Sequence, residues 1–206
     1  MSTTLNPPLN TTKKLVAPLD RNRGTLAMWM VIATEASLFI SLFCSYFLLG
    51  NNKSRWSIDD PPKLTYALIL LAILISSSLV LHWGEKQVKR QRYVAARIIL
   101  AVTILMGLGF LALQSFEYLD HWKKLAPYSD SYGSIFYTIT TFHAAHVIVG
   151  LLILGYVLIL PRYNSKLESP YRAYHIAAMY WHFVDVVWVF VVLILYLIPH
   201  WIVYGH

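Results

Sequence analysis

Five apolar runs, broken only by isolated polar residues, alternate with short polar segments along the chain. They extend roughly from Leu26 to Leu49, Leu64 to Trp83, Val94 to Tyr118, Gly133 to Leu160 and His175 to Pro199. Crossing a hydrocarbon core ~30 Å thick takes about 20 residues at the helical rise, and every run meets that length. The pattern predicts an all-α polytopic membrane protein, a five-transmembrane-helix bundle over residues 25–206 behind a polar N-terminal tail at 1–24. That tail contains Pro7, Pro8 and Pro18 and lacks the apolar centre of a signal peptide. Turn and breaker residues mark the connections: Asp59-Asp60-Pro61-Pro62 in the first, Pro127 and Asp130 in the third, and Pro161 after the fourth run. Connections this short make consecutive helices antiparallel neighbours.

Composition agrees: the 206 residues are 57% hydrophobic and only 13% charged, with a mean hydropathy of +0.54. That is too apolar for a water-facing surface. A formal charge of +7 could suggest nucleic-acid binding, but the basic residues are scattered between the apolar runs and form no stripe, so no nucleic-acid partner is expected. Their placement reports orientation instead. Twelve Lys and Arg fall in the tail and the second and fourth connections, against five on the opposite side, which places the N-terminus cytoplasmic and His206 outside. Cys44, the single cysteine, excludes an intrachain disulfide and a cysteine-rich metal site, and reads as a small packing residue.

Within the apolar runs stand groups that are expensive in lipid unless they meet partners. The first helix carries Glu35 near its middle and a seam of small residues, Ala33, Ser37, Ser41 and Ser45, suited to close packing with a neighbour. The third offers Gln114 and Glu117, the fourth His143 and His146, the fifth His182 and Asp185, each pair at i and i+3 and so on one face. Counting along the helices puts Glu35, His143 and Asp185 at similar depth, each about 15 Å from a boundary. The five residues Glu35, His143, His146, His182 and Asp185 could meet if helices one, four and five are neighbours.

Three kinds of chemistry suit such a set. Three histidines and two carboxylates could hold a non-haem metal, although bundle-embedded di-metal sites use Glu-x-x-His pairs and here the pairs are His-x-x-His and His-x-x-Asp. Bis-histidine haem ligation needs ligands on facing helices rather than three apart on one. A proton relay is the third, and a purely structural role, fixing helix register, stands beside it. An autonomous metal- or haem-binding membrane enzyme therefore remains open at this point.

Four blocks carry a resemblance. Ala27–Phe39 (AMWMVIATEASLF), Leu113–Tyr118 (LQSFEY), Tyr132–Thr138 with Thr141–Gly150 (YGSIFYT, TFHAAHVIVG) and Tyr180–Trp188 (YWHFVDVVW) resemble, in order and depth, subunit III of the haem-copper terminal oxidases, in its short five-helix bacterial form. The resemblance covers residues 24 to 199 and implies a non-catalytic component of a proton-pumping oxidase, cytochrome c oxidase rather than quinol oxidase, in the bacterial plasma membrane. It implies no cofactor in this chain, with haem and copper in partner subunits. The partners would be catalytic subunit I, subunit II, a small subunit IV where present, and membrane phospholipids. Glu35 matches the family's buried carbodiimide-reactive glutamate. The family role is to support proton uptake and to protect the catalytic subunit. On this reading Glu35, His143, His146, His182, Asp185 and Glu117 form a buried polar or proton-related network, and Arg162 and Trp181 contact lipid. The chain departs from the pattern at His175, where some members have glutamate, and at Pro161-Arg162, where the expected arginine is displaced.

Overall fold

A computed structural model describes residues 17–50, 64–122, 131–159 and 170–204, and these are almost wholly helical. The helices are α1 (Ala17–Gly50), α2 (Leu64–Lys89), α3 (Tyr93–Trp122), α4 (Ser131–Ile159) and α5 (Pro170–Val191), the last continuing through a π-helical stretch, Val192–Leu197, into α6 (Ile198–Tyr204). Five segments of 26 to 31 residues are long and apolar enough to cross a membrane: Arg23–Gly50, Leu64–Lys89, Tyr93–Leu119, Ser131–Ile159 and Tyr171–Trp201. The fold is thus an all-α bundle of five membrane-spanning helices.

The helices outrun the apolar runs. α1 begins at Ala17, inside the polar segment, and α2 continues past Trp83 to Lys89. Hydropathy marks the part of a helix that suits hydrocarbon, whereas hydrogen bonding carries the helix on into polar sequence. Only residues 90–92 join α2 to α3. Gln91 takes a left-handed φ of 59° there. The Arg92 N–H donates to the Gln87 carbonyl and the Gln91 N–H to the Val88 carbonyl, both at 2.9 Å, the paired bonds of a Schellman cap.

Packing follows sequence order with one exception. α2 and α3 form the most extensive contact, α4 packs on α5 and α3, and α5 also packs on α2. α1 does not pair principally with α2, as the short-connection rule predicts; it lies against α4 and α5. Its inner face is made by Phe39 and Tyr46, with Met28, Leu38, Leu42 and Phe43 partly buried beside them. The small-residue seam therefore faces outward. Ala33, Ser37 and Ser41 are exposed, and the serine hydroxyls of Ser37, Ser41 and Ser45 donate to carbonyls of their own helix. Cys44 is likewise exposed rather than packed, because it sits on that outer side.

At the centre stands Trp181, fully buried, its indole N–H donating to Ser77 Oγ of α2 at 3.0 Å. Two glycines make room for the ring. A Cβ on Gly107 of α3 would come within 2.7 Å of it, and one on Gly150 of α4 within 2.9 Å. One side chain of α5 thereby touches three other helices. Below it, Phe110, His143, Phe136, Trp188 and Tyr196 form a run of edge-to-face and tilted ring contacts with centroids 4.8 to 6.5 Å apart.

Candidate functional site

The polar residues expected to converge on one point divide among three places. The first is the α1–α4 contact. His146 Nε2 and Glu35 Oε2 lie 2.9 Å apart, while His146 Nδ1 is 2.7 Å from the Phe142 carbonyl of its own helix. That carbonyl can only accept, so Nδ1 carries a proton and Nε2 faces the carboxyl group. Phe39 packs edge-on against the imidazole at 4.9 Å. One turn earlier on α4, His143 is fully buried, its ring tilted on Trp188 at 4.8 Å and flanked by Phe110 and Phe39. Neither of its nitrogens hydrogen-bonds to a described residue.

The second place is the α2–α5 groove. His182 turns away from α4 and hydrogen-bonds through Nδ1 with the Ser78 hydroxyl of α2. Asp185 is buried beside Ser78, and neither carboxyl oxygen has a hydrogen-bond partner among the described residues. Thus α5 sends His182 and Asp185 to α2, whereas α4 sends His146 to α1. The supposed five-residue meeting near mid-membrane does not form, although helices one, four and five are neighbours. Sharing a depth is not sharing a face.

The third place involves Glu117, which is buried on α3. It accepts a hydrogen bond from Tyr196 Oη at 3.1 Å and one from Gln114 Nε2 at 3.3 Å. Tyr196 belongs to the π-helical stretch, whose widened turn is closed by the Ile198 N–H donating to the Leu193 carbonyl. Pro199, having no N–H, cannot return a hydrogen bond to the Leu195 carbonyl four residues back. The Tyr132 hydroxyl of α4 donates to that carbonyl instead, at 3.3 Å. The π-turn and the proline therefore act together: they aim Tyr196 at α3 and open Leu195 to α4.

Two expectations on lipid contact change. Trp181 cannot face lipid, since its ring fills the interhelical slot at Gly107 and Gly150. Arg162 lies outside the described residues. Glu85 did not stand out in the sequence, because it sits in the polar stretch after Trp83 where a charged residue is unremarkable. In the structure it is largely buried, accepts a hydrogen bond from Tyr171 Oη at 2.8 Å, and lies 3.0 Å from His175 Nδ1 and 3.7 Å from Lys89 Nζ. The signal that could have found it is its position seven residues after Ser78, on the same face of α2.

Among the described residues no three His, Cys, Asp or Glu side chains come together in a way that would hold a metal ion. The histidines instead meet a carboxyl group, a hydroxyl or aromatic rings. These polar residues join helices in pairs, which defines a multi-pass membrane protein whose intramembrane polar groups tie one helix to the next.

A family model described as "Cytochrome c oxidase subunit III" matches residues 21–201. "Cytochrome c oxidase subunit 3" of Bacillus subtilis (strain 168) is 33% identical over 188 residues, covering 87% of this chain and 88% of that protein. The protein of the same name from Corynebacterium diphtheriae is 34% identical over 194 residues, 89% and 92% of the two chains. The one from Synechocystis is 32% identical over 176 residues, 82% and 73%. The chain belongs to the cytochrome c oxidase subunit III family.

Proposed function

We propose that this chain is the non-catalytic third subunit of a proton-pumping cytochrome c oxidase, docked on catalytic subunit I together with subunit II and, where present, a small subunit IV. The family match over residues 21–201 carries this reading. The names of its relatives favour cytochrome c over quinol as the electron donor of the complex. On this reading haem and copper belong to the partner subunits, and this chain supports proton uptake and the durability of the catalytic subunit. The bulk of Lys and Arg on one side favours a cytoplasmic N-terminus in a bacterial plasma membrane.

Its α1–α4 polar contact then serves assembly more than chemistry. Glu35–His146 holds α1 to the rest of the bundle, and α1 is the helix with the least of its surface buried within the chain, which makes it a ready face for a partner subunit. The test is an oxidase prepared without this chain. Initial oxygen reduction should persist while activity decays over repeated turnovers. An oxidase that loses all activity at once, or that decays no faster than the complete complex, contradicts the proposed role.

A further inference from the structure

Outside the Glu35–His146 contact, polar residues line the facing surfaces of α2 and α5 in two stripes. On α2 these are Ser78, His82, Glu85 and Lys89, and on α5 Tyr171, His175, His182 and Asp185. Their spacings keep each set on one side of its helix. The α2 stripe climbs eleven residues, about 16 Å at the helical rise, from the basic end of the helix toward the bundle interior.

The two stripes interlock. At the basic end Glu85 receives Tyr171 Oη and faces His175 Nδ1, with Lys89 Nζ at 3.7 Å and His82 Nδ1 at 4.0 Å. His82 stands one turn beyond Ser78 on α2, and His175 two turns before His182 on α5. His182 bonds Ser78, and one turn further along α5 lies the buried carboxyl group of Asp185, whose oxygens have no hydrogen-bond partner among the described residues. The groove is open along its side at this end: the side chains of Lys89, His82 and His175 are 57%, 54% and 37% exposed, against 12% for Glu85. Ionisable groups in a membrane-spanning helix are costly against lipid tails, so an open row of them calls for water or protein beside it.

We propose that the α2–α5 groove is a proton-conducting half-path, running from the basic end of α2 to a terminal proton-binding carboxyl group at Asp185. Protons enter along the hydrated side between Lys89, Glu85, His175 and His82. At the inner step His182 takes a proton at Nε2 and passes its Nδ1 proton to Ser78 Oγ, while the Ser78 hydroxyl proton moves to an Asp185 carboxylate oxygen. One proton is taken up, one carboxylate becomes a carboxyl group, and no electron moves; the reverse sequence releases it. The proposal concerns the chain's own side chains and stands or falls apart from its place in an oxidase.

The test is hydrogen–deuterium exchange at Asp185, followed by infrared spectroscopy on the full chain in detergent. The carboxyl band lost in Asp185→Asn identifies the group. Replacing His182 by Phe should slow exchange of that band by about tenfold or more, and His82→Phe, at an exposed position where folding is not at stake, should slow it in the same direction. The Glu117 band, identified by Glu117→Gln, should keep its rate in both. Exchange at Asp185 that is unchanged in both variants overturns the proposal. So does the absence of an Asp185 carboxyl band at every pH at which the chain stays folded.

Discussion

Glu35 and His146 meet at 2.9 Å across the α1–α4 contact, a side-chain pair that ties α1 to the rest of the bundle. α1 otherwise rests on Phe39, Tyr46 and a few half-buried side chains, so this pair fixes its rotation and height against α4. Interhelical hydrogen bonds in membranes contribute about 0.6 kcal/mol on average and up to about 1.7. Glu35→Gln keeps the shape and should cost no more than about 1 kcal/mol in unfolding from detergent. The same substitution should abolish carbodiimide labelling of this chain. Labelling that persists unchanged would place the reactive carboxyl group elsewhere.

Trp181 is where four helices depend on one side chain. Trp181→Ala removes a fully buried indole and should cost about 3–5 kcal/mol, as large-to-small aromatic substitutions do. Trp181→Phe keeps much of the packing and loses the bond to Ser77, so about 1 kcal/mol is expected. Gly150→Val should match the alanine variant rather than the phenylalanine one, because its Cβ meets the rigid ring and not a flexible chain end. Thermal unfolding of the purified variants decides the order. Equal midpoints for Trp181→Ala and Trp181→Phe would show that the ring packing contributes little.

The extent of the membrane bundle was plain from the five apolar runs, since length and hydropathy are local properties. Which helices touch was less so. α1 passes over α2 to reach α4 and α5, a choice made by the shape of Phe39, Tyr46 and the receiving surface, and the serine seam pointed the wrong way because small residues also suit a helix face with no neighbour inside the chain. Glu35 and His146, singled out by the cost of placing such groups in lipid, meet across the α1–α4 contact. His182 and Asp185 were singled out for the same reason, yet they turn toward Ser78. An i to i+3 spacing shows that two residues share a face, not which helix lies opposite. Trp181 illustrates the converse: its role depends on Gly107 and Gly150, each far away in sequence, so nothing local distinguished it from an interfacial tryptophan.

Gln91 holds a left-handed backbone at the α2 C-cap, with φ at 59°. A side chain in that region costs about 1 kcal/mol relative to glycine. Gln91→Gly should therefore leave the Schellman bonds in place and raise stability by up to about 1 kcal/mol. A lower unfolding midpoint would mean that the glutamine side chain makes a compensating contact.

The π-turn should matter through Tyr196. Removing its hydroxyl in Tyr196→Phe takes one hydrogen bond from the buried Glu117 and should cost about 1–3 kcal/mol. Glu117→Gln in the same background should recover part of that loss, because an amide is less costly to bury than a carboxyl group that has lost a hydrogen bond. A double-mutant cycle measures the coupling. Strict additivity would show that the two groups do not act on each other.

Purifying the chain from native membranes under mild detergent through an affinity tag tests most directly whether it sits inside an oxidase. Haem-containing subunits should co-purify in fixed proportion, with an optical spectrum of bound haem and cytochrome c-dependent oxygen reduction. A chain that purifies alone, or that carries stoichiometric haem or metal after its partners have been stripped away, would contradict a non-catalytic place in that complex.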